Sequence, residues 1–279
     1  MKTLILGSSG KIGKFFVKKN KNLVFTYNKN KILGGIKFNL NKDNINHVIN
    51  KFNIRKAVIL SAYSEPDFCF KNKKKSYRLN VKSTQNIIKT LIKKKIYFFY
   101  FSTEFVYDGK NKNYKEISKT KPNTIYGNQK LIVERFIKKN TDNYAIFRIS
   151  KTYSKKKNEK DFVSEFYNNI KKNITHFKAA TDQIFNPIYV QDIVKISNFF
   201  LKKEIKGTFN IAGPQPLSRY QCLQILRSKL SKKMQKKITI RKIKLLNFKF
   251  IEKRPLNLSL NIKKLQNIYP YELKYFNEL

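Results

Sequence analysis

The amino terminus constrains the fold more than any other stretch. Thr3 to Leu6 is a short apolar run that reads as a buried strand. It breaks at Gly7-Ser8-Ser9-Gly10-Lys11-Ile12-Gly13, and a helical pattern beginning near Lys11 carries on over Lys14 to Lys19. A strand that turns through spaced glycines into a helix is the signature of a phosphate-binding βα turn. Gly7 permits the sharp turn, Gly10 leaves the backbone bare for a pyrophosphate, and Gly13 lets the helix pack close on the strand. Lys11 and Ile12 complete the turn, and the anion would rest against free N–H groups at the start of the helix.

The pattern then repeats. Apolar runs at Leu23–Thr26, Ile36–Leu40, Ala57–Ser61, Ile96–Ser102 and Tyr144–Ile149 read as strands, and Asp43–Phe52, Tyr77–Lys93 and Ile125–Lys138 read as helices. Strands alternating with helices predict βαβ units and a doubly wound parallel sheet of the Rossmann type, with right-handed crossovers. After Ser150 the pattern loosens. A charged loop covers residues 155–160. Phe162–Ile170 and Val190–Leu201 read as helices, Gly207–Ile211 as a strand, and Ser218–Leu230 as a helix with Ser218 as its N-cap. The expected organisation is a dinucleotide-binding domain over residues 1–150, rejoined by 188–207, with a smaller substrate-binding lobe built from 151–187 and 208–279.

Composition narrows the chemistry. The 279 residues hold 61 Lys+Arg against 17 Asp+Glu, a net charge of +44. The lysines run through nearly every segment together with Asn, Ile, Phe and Tyr, whereas a nucleic-acid binder concentrates charge on one stripe or tail. No nucleic-acid partner is therefore expected, although a positive surface attracts anionic ligands. No apolar stretch is long enough to span a membrane. Cys69 and Cys222 form no CxxC motif or disulfide framework, which fits a reducing cytoplasm. His47 and His176 lack partners at metal-ligand spacing, so catalysis must use other groups and no metal is assigned.

Two further features supply that chemistry. Ser102-Thr103 ends the fifth strand, where a parallel sheet presents its ligand crevice. Tyr126 and Lys130 lie four apart near the start of a helix and so share one face. A Tyr hydroxyl titrates near about 10, and a neighbouring ammonium favours its phenolate and lowers that value. Lys130 can also hold a nicotinamide ribose, and the Thr103 hydroxyl can bond a substrate oxygen. The set suits proton transfer coupled to hydride transfer at a carbonyl. After the second strand the chain reads Thr26-Tyr27-Asn28-Lys29-Asn30. It has no carboxylate for the ribose hydroxyls of NAD, and Lys29 stands near the place of a 2′-phosphate, so NADPH is favoured, with NADH also possible.

Longer motifs carry a resemblance. Tyr100-Phe-Ser-Thr-Glu-Phe-Val-Tyr-Asp-Gly109, Ile125-Tyr-Gly-Asn-Gln-Lys-Leu-Ile-Val-Glu134, Ser61-Ala-Tyr-Ser-Glu-Pro-Asp67, Arg148-Ile-Ser-Lys-Thr-Tyr153 and Arg254-Pro-Leu-Asn257 resemble, in order, blocks of the dTDP-4-dehydrorhamnose reductase family of extended short-chain dehydrogenases/reductases. The resemblance implies Thr103, Tyr126 and Lys130 as the catalytic set. It implies coenzyme contacts from Gly7, Gly10, Ile12, Asn39, Leu40, Ser61, Ala62, Tyr63 and Lys130, and a nucleotide sugar lying near Glu104, Phe105, Arg148 and Arg254. The implied activity is reduction of the C4 ketone of a 6-deoxy-4-keto nucleotide sugar for deoxysugar and surface polysaccharide synthesis, and the implied assembly admits a homodimer. The chain departs from the family blocks at Glu104, where they carry Asp, at Asn39 for Asp, at Phe70 for Glu and at Lys151 for Trp. Two other readings remain: an epimerase or dehydratase with tightly held NAD, and a non-catalytic regulatory subunit on the same fold.

Overall fold

The computed structural model describes residues 2–17, 22–155, 159 and 161–279. Among these, seven strands form one sheet: Lys2–Leu6 (β1), Leu23–Tyr27 (β2), Ile36–Lys37 (β3), Ile54–Ile59 (β4), Tyr97–Thr103 (β5), Tyr144–Ile149 (β6) and Gly207–Ile211 (β7). Their order is β7-β6-β5-β4-β1-β2-β3, and every pairing is parallel. The strand order reverses between β1 and β4, which opens a crevice beyond their carboxyl ends. All seven residues of β5, Tyr-Phe-Phe-Tyr-Phe-Ser-Thr, are buried, as expected of a central strand covered on both faces.

The covering helices divide as the alternation predicts. One face receives Val48 and Ile49 of helix Ile45–Phe52, Ile87, Ile88 and Leu91 of helix Thr84–Lys93, and Val133 and Ile137 of helix Ile125–Asn140. The other receives Phe16, then Ile193, Ile196 and Phe200 of helix Val190–Lys203, with Leu265 and Tyr269 from the last part of the chain. A third cluster, including Phe162, Phe166, Phe185, Leu223, Leu226 and Phe276, is the core of the lobe.

Three expectations change. The predicted helix over Tyr77–Lys93 is interrupted. Lys73–Tyr77 and Thr84–Lys93 are α-helical, but Arg78–Ser83 between them is a π-helix. The lobe boundary at 208 cuts through β7, which pairs with β6 along its whole length, and Leu265 and Tyr269 return to the sheet core. The lobe is therefore smaller than the loosened sequence pattern suggests. Of the amino-terminal helix, Gly13–Phe16 is observed, and the predicted positions 18 and 19 lie outside the described residues. In the charged loop, only Lys155 and Glu159 lie within them. The predicted N-cap at Ser218 is present. Its hydroxyl accepts from the Gln221 N–H while the Gln221 side chain accepts from the Ser218 N–H, starting helix Arg219–Ser228.

Candidate active site

A cleft of about 910 Å³ opens at the carboxyl ends of β1, β4, β5 and β6, between the sheet and the lobe. That is near the upper limit of small-molecule and cofactor sites. The glycine turn forms one wall. Gly7 has φ +90°, and a Cβ there would meet the Ser61 Oγ at 2.5 Å, so the turn needs glycine on both counts. At Gly13 a Cβ would lie 2.5 Å from the Gly7 carbonyl, which is the close helix–strand approach the motif implies. Gly10 lines the cleft as bare backbone. Lys11 reaches across to the lobe and donates to the Thr152 carbonyl at 2.7 Å; burial brings its pKa down to about 8, against the pull of Asp161 and Glu159.

The opposite part of the floor carries the reactive groups. Thr103 ends β5, and its Oγ1 accepts from the Phe105 N–H at 3.3 Å. Thr124 caps helix Ile125–Asn140 through the Gly127 N–H, which places Tyr126 and Lys130 in its first turns. The Tyr126 hydroxyl lies beside the Thr103 side chain, and its ring meets Phe105 edge-on at 6.1 Å. Lys130 donates to the Phe101 carbonyl at 2.7 Å and lies over the Tyr100 ring at 4.7 Å, with the Tyr126 ring centroid 6.0 Å away.

The titration behaviour corrects one expectation. The Tyr126 hydroxyl is not made more acidic. Burial pushes its pKa above the ordinary phenol value, and the neighbouring Thr103 side chain offsets only part. Burial likewise brings Lys130 down to about 8. Sequence spacing supplied the pairing of these two residues but could not report how dry their surroundings are. Cys69, behind them, is pushed up to about 11 by burial and stays a neutral thiol.

Glu104 is on the cleft wall, where burial raises its carboxyl to about 8 and the Ser150 hydroxyl donates to it. Phe105 and Ala62 also line the cleft. Ser61 packs under Gly7. Tyr63 is turned into a polar network, with its N–H donating to Asn80 Oδ1 at 2.8 Å and its carbonyl accepting from Asn80 Nδ2 at 2.9 Å. Asn80 Nδ2 also donates to Gln129 Oε1 at 2.8 Å, tying this loop to helix Ile125–Asn140. Asn39 is off the cleft wall, with its N–H on Asp43 and its side chain on the Asn41 N–H, and Leu40 packs against the sheet core. Lys29 is exposed and outside the cleft.

Two residues expected at the substrate are occupied elsewhere. Arg148 is 1% exposed and faces away from the cleft. It makes hydrogen bonds of 2.7–3.2 Å to Glu134, one of 2.6 Å to Tyr107 and one of 2.9 Å to the Glu116 carbonyl. Burial opposes its charge, and Glu134 more than compensates, so the guanidinium is held above its ordinary value. Arg254 pairs with Asp67 at 2.7 Å beside the cleft, which its neighbour Pro255 lines. The sequence reading missed the lobe side of the cleft, where Lys151, Phe162, Phe185 and Arg219 converge. One local signal was available: Arg219 puts a cation in the first turn of a helix, where the helix dipole disfavours it.

The parallel sheet with its strand reversal, the glycine turn and the Thr103–Tyr126–Lys130 cluster around one crevice together define a Rossmann-type fold. The chain belongs to the RmlD substrate binding domain family, whose model matches residues 1–278. Among solved structures it is similar to a hypothetical dTDP-4-dehydrorhamnose reductase from Sulfolobus tokodaii, 25% identical with a TM-score of 0.86 over 97% of this chain and 95% of that one. It also shares its fold with the Bacillus anthracis dTDP-4-dehydrorhamnose reductase in complex with NADP, 21% identical, TM-score 0.86, over 100% and 97% of the two chains. Among curated proteins it is similar to methionine adenosyltransferase 2 subunit beta from Pongo abelii, 25% identical over 193 residues. That match covers 65% of this chain and 56% of the relative's length.

Proposed function

We propose that this protein is an NADPH-dependent reductase acting on the C4 ketone of a nucleotide-activated 6-deoxy-4-keto sugar. The observation that carries the reading is Tyr126 beside Thr103 at the end of β5, both lining the cleft whose far wall is the glycine turn. The donor set fits a nicotinamide coenzyme. Gly10 offers bare backbone, Lys11 a cation and Ala62 a small wall residue on one side, and Lys130 stands within reach of a ribose on the other. When bound, a reduced nicotinamide supplies the hydride for the ketone carbon.

The remaining steps belong to the chain. The Thr103 hydroxyl bonds the ketone oxygen and orients it toward Tyr126. Burial keeps the proton on Tyr126, so the phenol is in the form a general acid needs, and it passes that proton to the oxygen as negative charge develops there. Lys130 lies over Tyr100 at the back of the phenol, where its positive charge stabilises the resulting phenolate until solvent restores the proton. Lys29, and the lack of a carboxylate after β2, favour NADPH over NADH.

The similarity to methionine adenosyltransferase 2 subunit beta supports a second reading, a coenzyme-binding subunit that performs no reduction. The two separate by product analysis. Incubation with NADPH and a dTDP-linked 6-deoxy-4-keto sugar is expected to give a sugar heavier by two hydrogens, seen by mass spectrometry. Coenzyme binding with no mass change for any 4-keto nucleotide sugar would favour the regulatory reading.

A further inference from the structure

The lobe half of the cleft holds two cations that proton transfer to a ketone does not use. Lys151 follows Ser150 just past the end of β6, and its Nζ lies over the Phe185 ring at 5.6 Å. Arg219 begins helix Arg219–Ser228, and its guanidinium lies over the Phe162 ring at 4.7 Å. The two rings meet edge to face at 5.8 Å, and all four residues line the same wall. Among the described residues, Arg219 Nη1 is buried without a hydrogen-bond partner, and Nη2 lies 3.6 Å from Glu165, which is 66% exposed.

This arrangement is costly as it stands. The two cations repel each other across the wall, and Arg219 also stands at the positive end of its helix. Glu165 and Asp161 relieve part of this repulsion, but among the described residues neither accepts a hydrogen bond from Arg219 Nη1. Glu104 is kept protonated near neutral pH by burial. Asp161 is used by Ser154 and by the Val163 and Ser164 N–H groups, and Glu159 lies 3.7 Å from Lys14. A buried guanidinium nitrogen lacking an acceptor is retained against its cost when a ligand supplies one.

We propose that Lys151 and Arg219 form an oxyanion subsite that grips an anionic group of the substrate, either its diphosphate or a carboxylate on its sugar, and so decides which sugars are accepted. The proposal rests on the reading above in placing the coenzyme on the glycine-turn side, which leaves the lobe side to the substrate.

The test is calorimetric titration of NADP⁺-saturated protein with two probes, inorganic pyrophosphate and malonate. The full chain is expected to bind at least one, and Lys151→Met and Arg219→Met are each expected to weaken it at least tenfold. Arg219→Lys, which keeps the charge, should recover part of the loss. Preference for pyrophosphate assigns the subsite to the diphosphate, and preference for malonate assigns it to a sugar carboxylate. Lys151 is open to the cleft, so Lys151→Met reports even if Arg219→Met fails to fold. Equal affinities in the full chain and Lys151→Met, or no binding of either probe, would overturn the proposal. Anion binding in a protein that reduces no 4-keto sugar would retain the subsite and reject the reductase. Reduction with unchanged anion affinities would do the reverse.

Discussion

Arg148 and Arg219 are employed in opposite ways. Arg148, near the end of β6, has its donors satisfied by Glu134, Tyr107 and the Glu116 carbonyl, and Ser102 donates to the same Glu134 at 2.5 Å. Arg219 lies in the cleft with one nitrogen buried and unpartnered. The first region is a closed network that fixes β5, β6 and helix Ile125–Asn140 relative to one another. The second is an open set, with Tyr126, Lys130, Lys151 and Arg219 around a cavity. A saturated buried charge serves the framework, and an unsaturated one waits for a ligand.

The largest effect that could break this contrast is on catalysis. Tyr126→Phe is expected to lower kcat by about 10²–10⁴-fold, the usual contribution of a general acid, with coenzyme affinity unchanged. A variant that kept its turnover would remove the open region's chemistry from Tyr126. Next comes the closed network. Arg148→Met leaves buried Glu134 with only the Ser102 hydroxyl and the 41%-exposed Lys138, 3.9 Å away, and should cost about 3–5 kcal/mol in urea unfolding. If the variant instead kept its stability and lost only substrate affinity, Arg148 would belong with the cleft.

Glu104 sharpens the boundary between the two regions. Its carboxyl is raised from 4.5 to about 8, so the fold favours the protonated form. Its contribution to stability is complete below about 4.5 and is lost as pH rises to about 8, because the unfolded carboxyl releases its proton first. Glu104→Gln should remove that part of the slope, on the order of a few kcal/mol across the window, measured as Tm against pH. An unchanged slope would mean that another group titrates there. The smallest expected effect is at the rim. Lys29→Ala should lower the preference for NADPH over NADH only about threefold, since an exposed charge is screened by water. No change in the ratio of kcat/KM values would remove Lys29 from coenzyme selection.

The sheet side was far more legible in the sequence than the lobe. Apolar runs such as Ile96–Ser102 announce a strand buried on both faces, and Tyr126 and Lys130 meet because a helix brings fourth neighbours together. These are local rules. Lys151 and Arg219 meet only because the lobe folds back across 68 positions of sequence, and no spacing rule reports that. Arg148 was misplaced for a related reason. Its motif pointed to the substrate, but its partner Glu134 sits on a helix packed beneath the strand. The π-helical segment at Arg78–Ser83 keeps an α-like apolar pattern on either side, so periodicity alone ran the helix straight through it. The acidity of Tyr126 was reversed because burial is a property of the packed fold, whereas the lysine four residues on is visible in one dimension.

The central claim is that the Tyr126 phenol and a reduced nicotinamide meet at one ketone. Its most direct test is to supply NADPH carrying deuterium at the transferable position together with a dTDP-linked 6-deoxy-4-keto sugar, and to locate the label by NMR. The account predicts one deuteron on the former ketone carbon of the sugar, with no transfer by Tyr126→Phe. A coenzyme-saturated protein that leaves the ketone unlabelled and unreduced would contradict it.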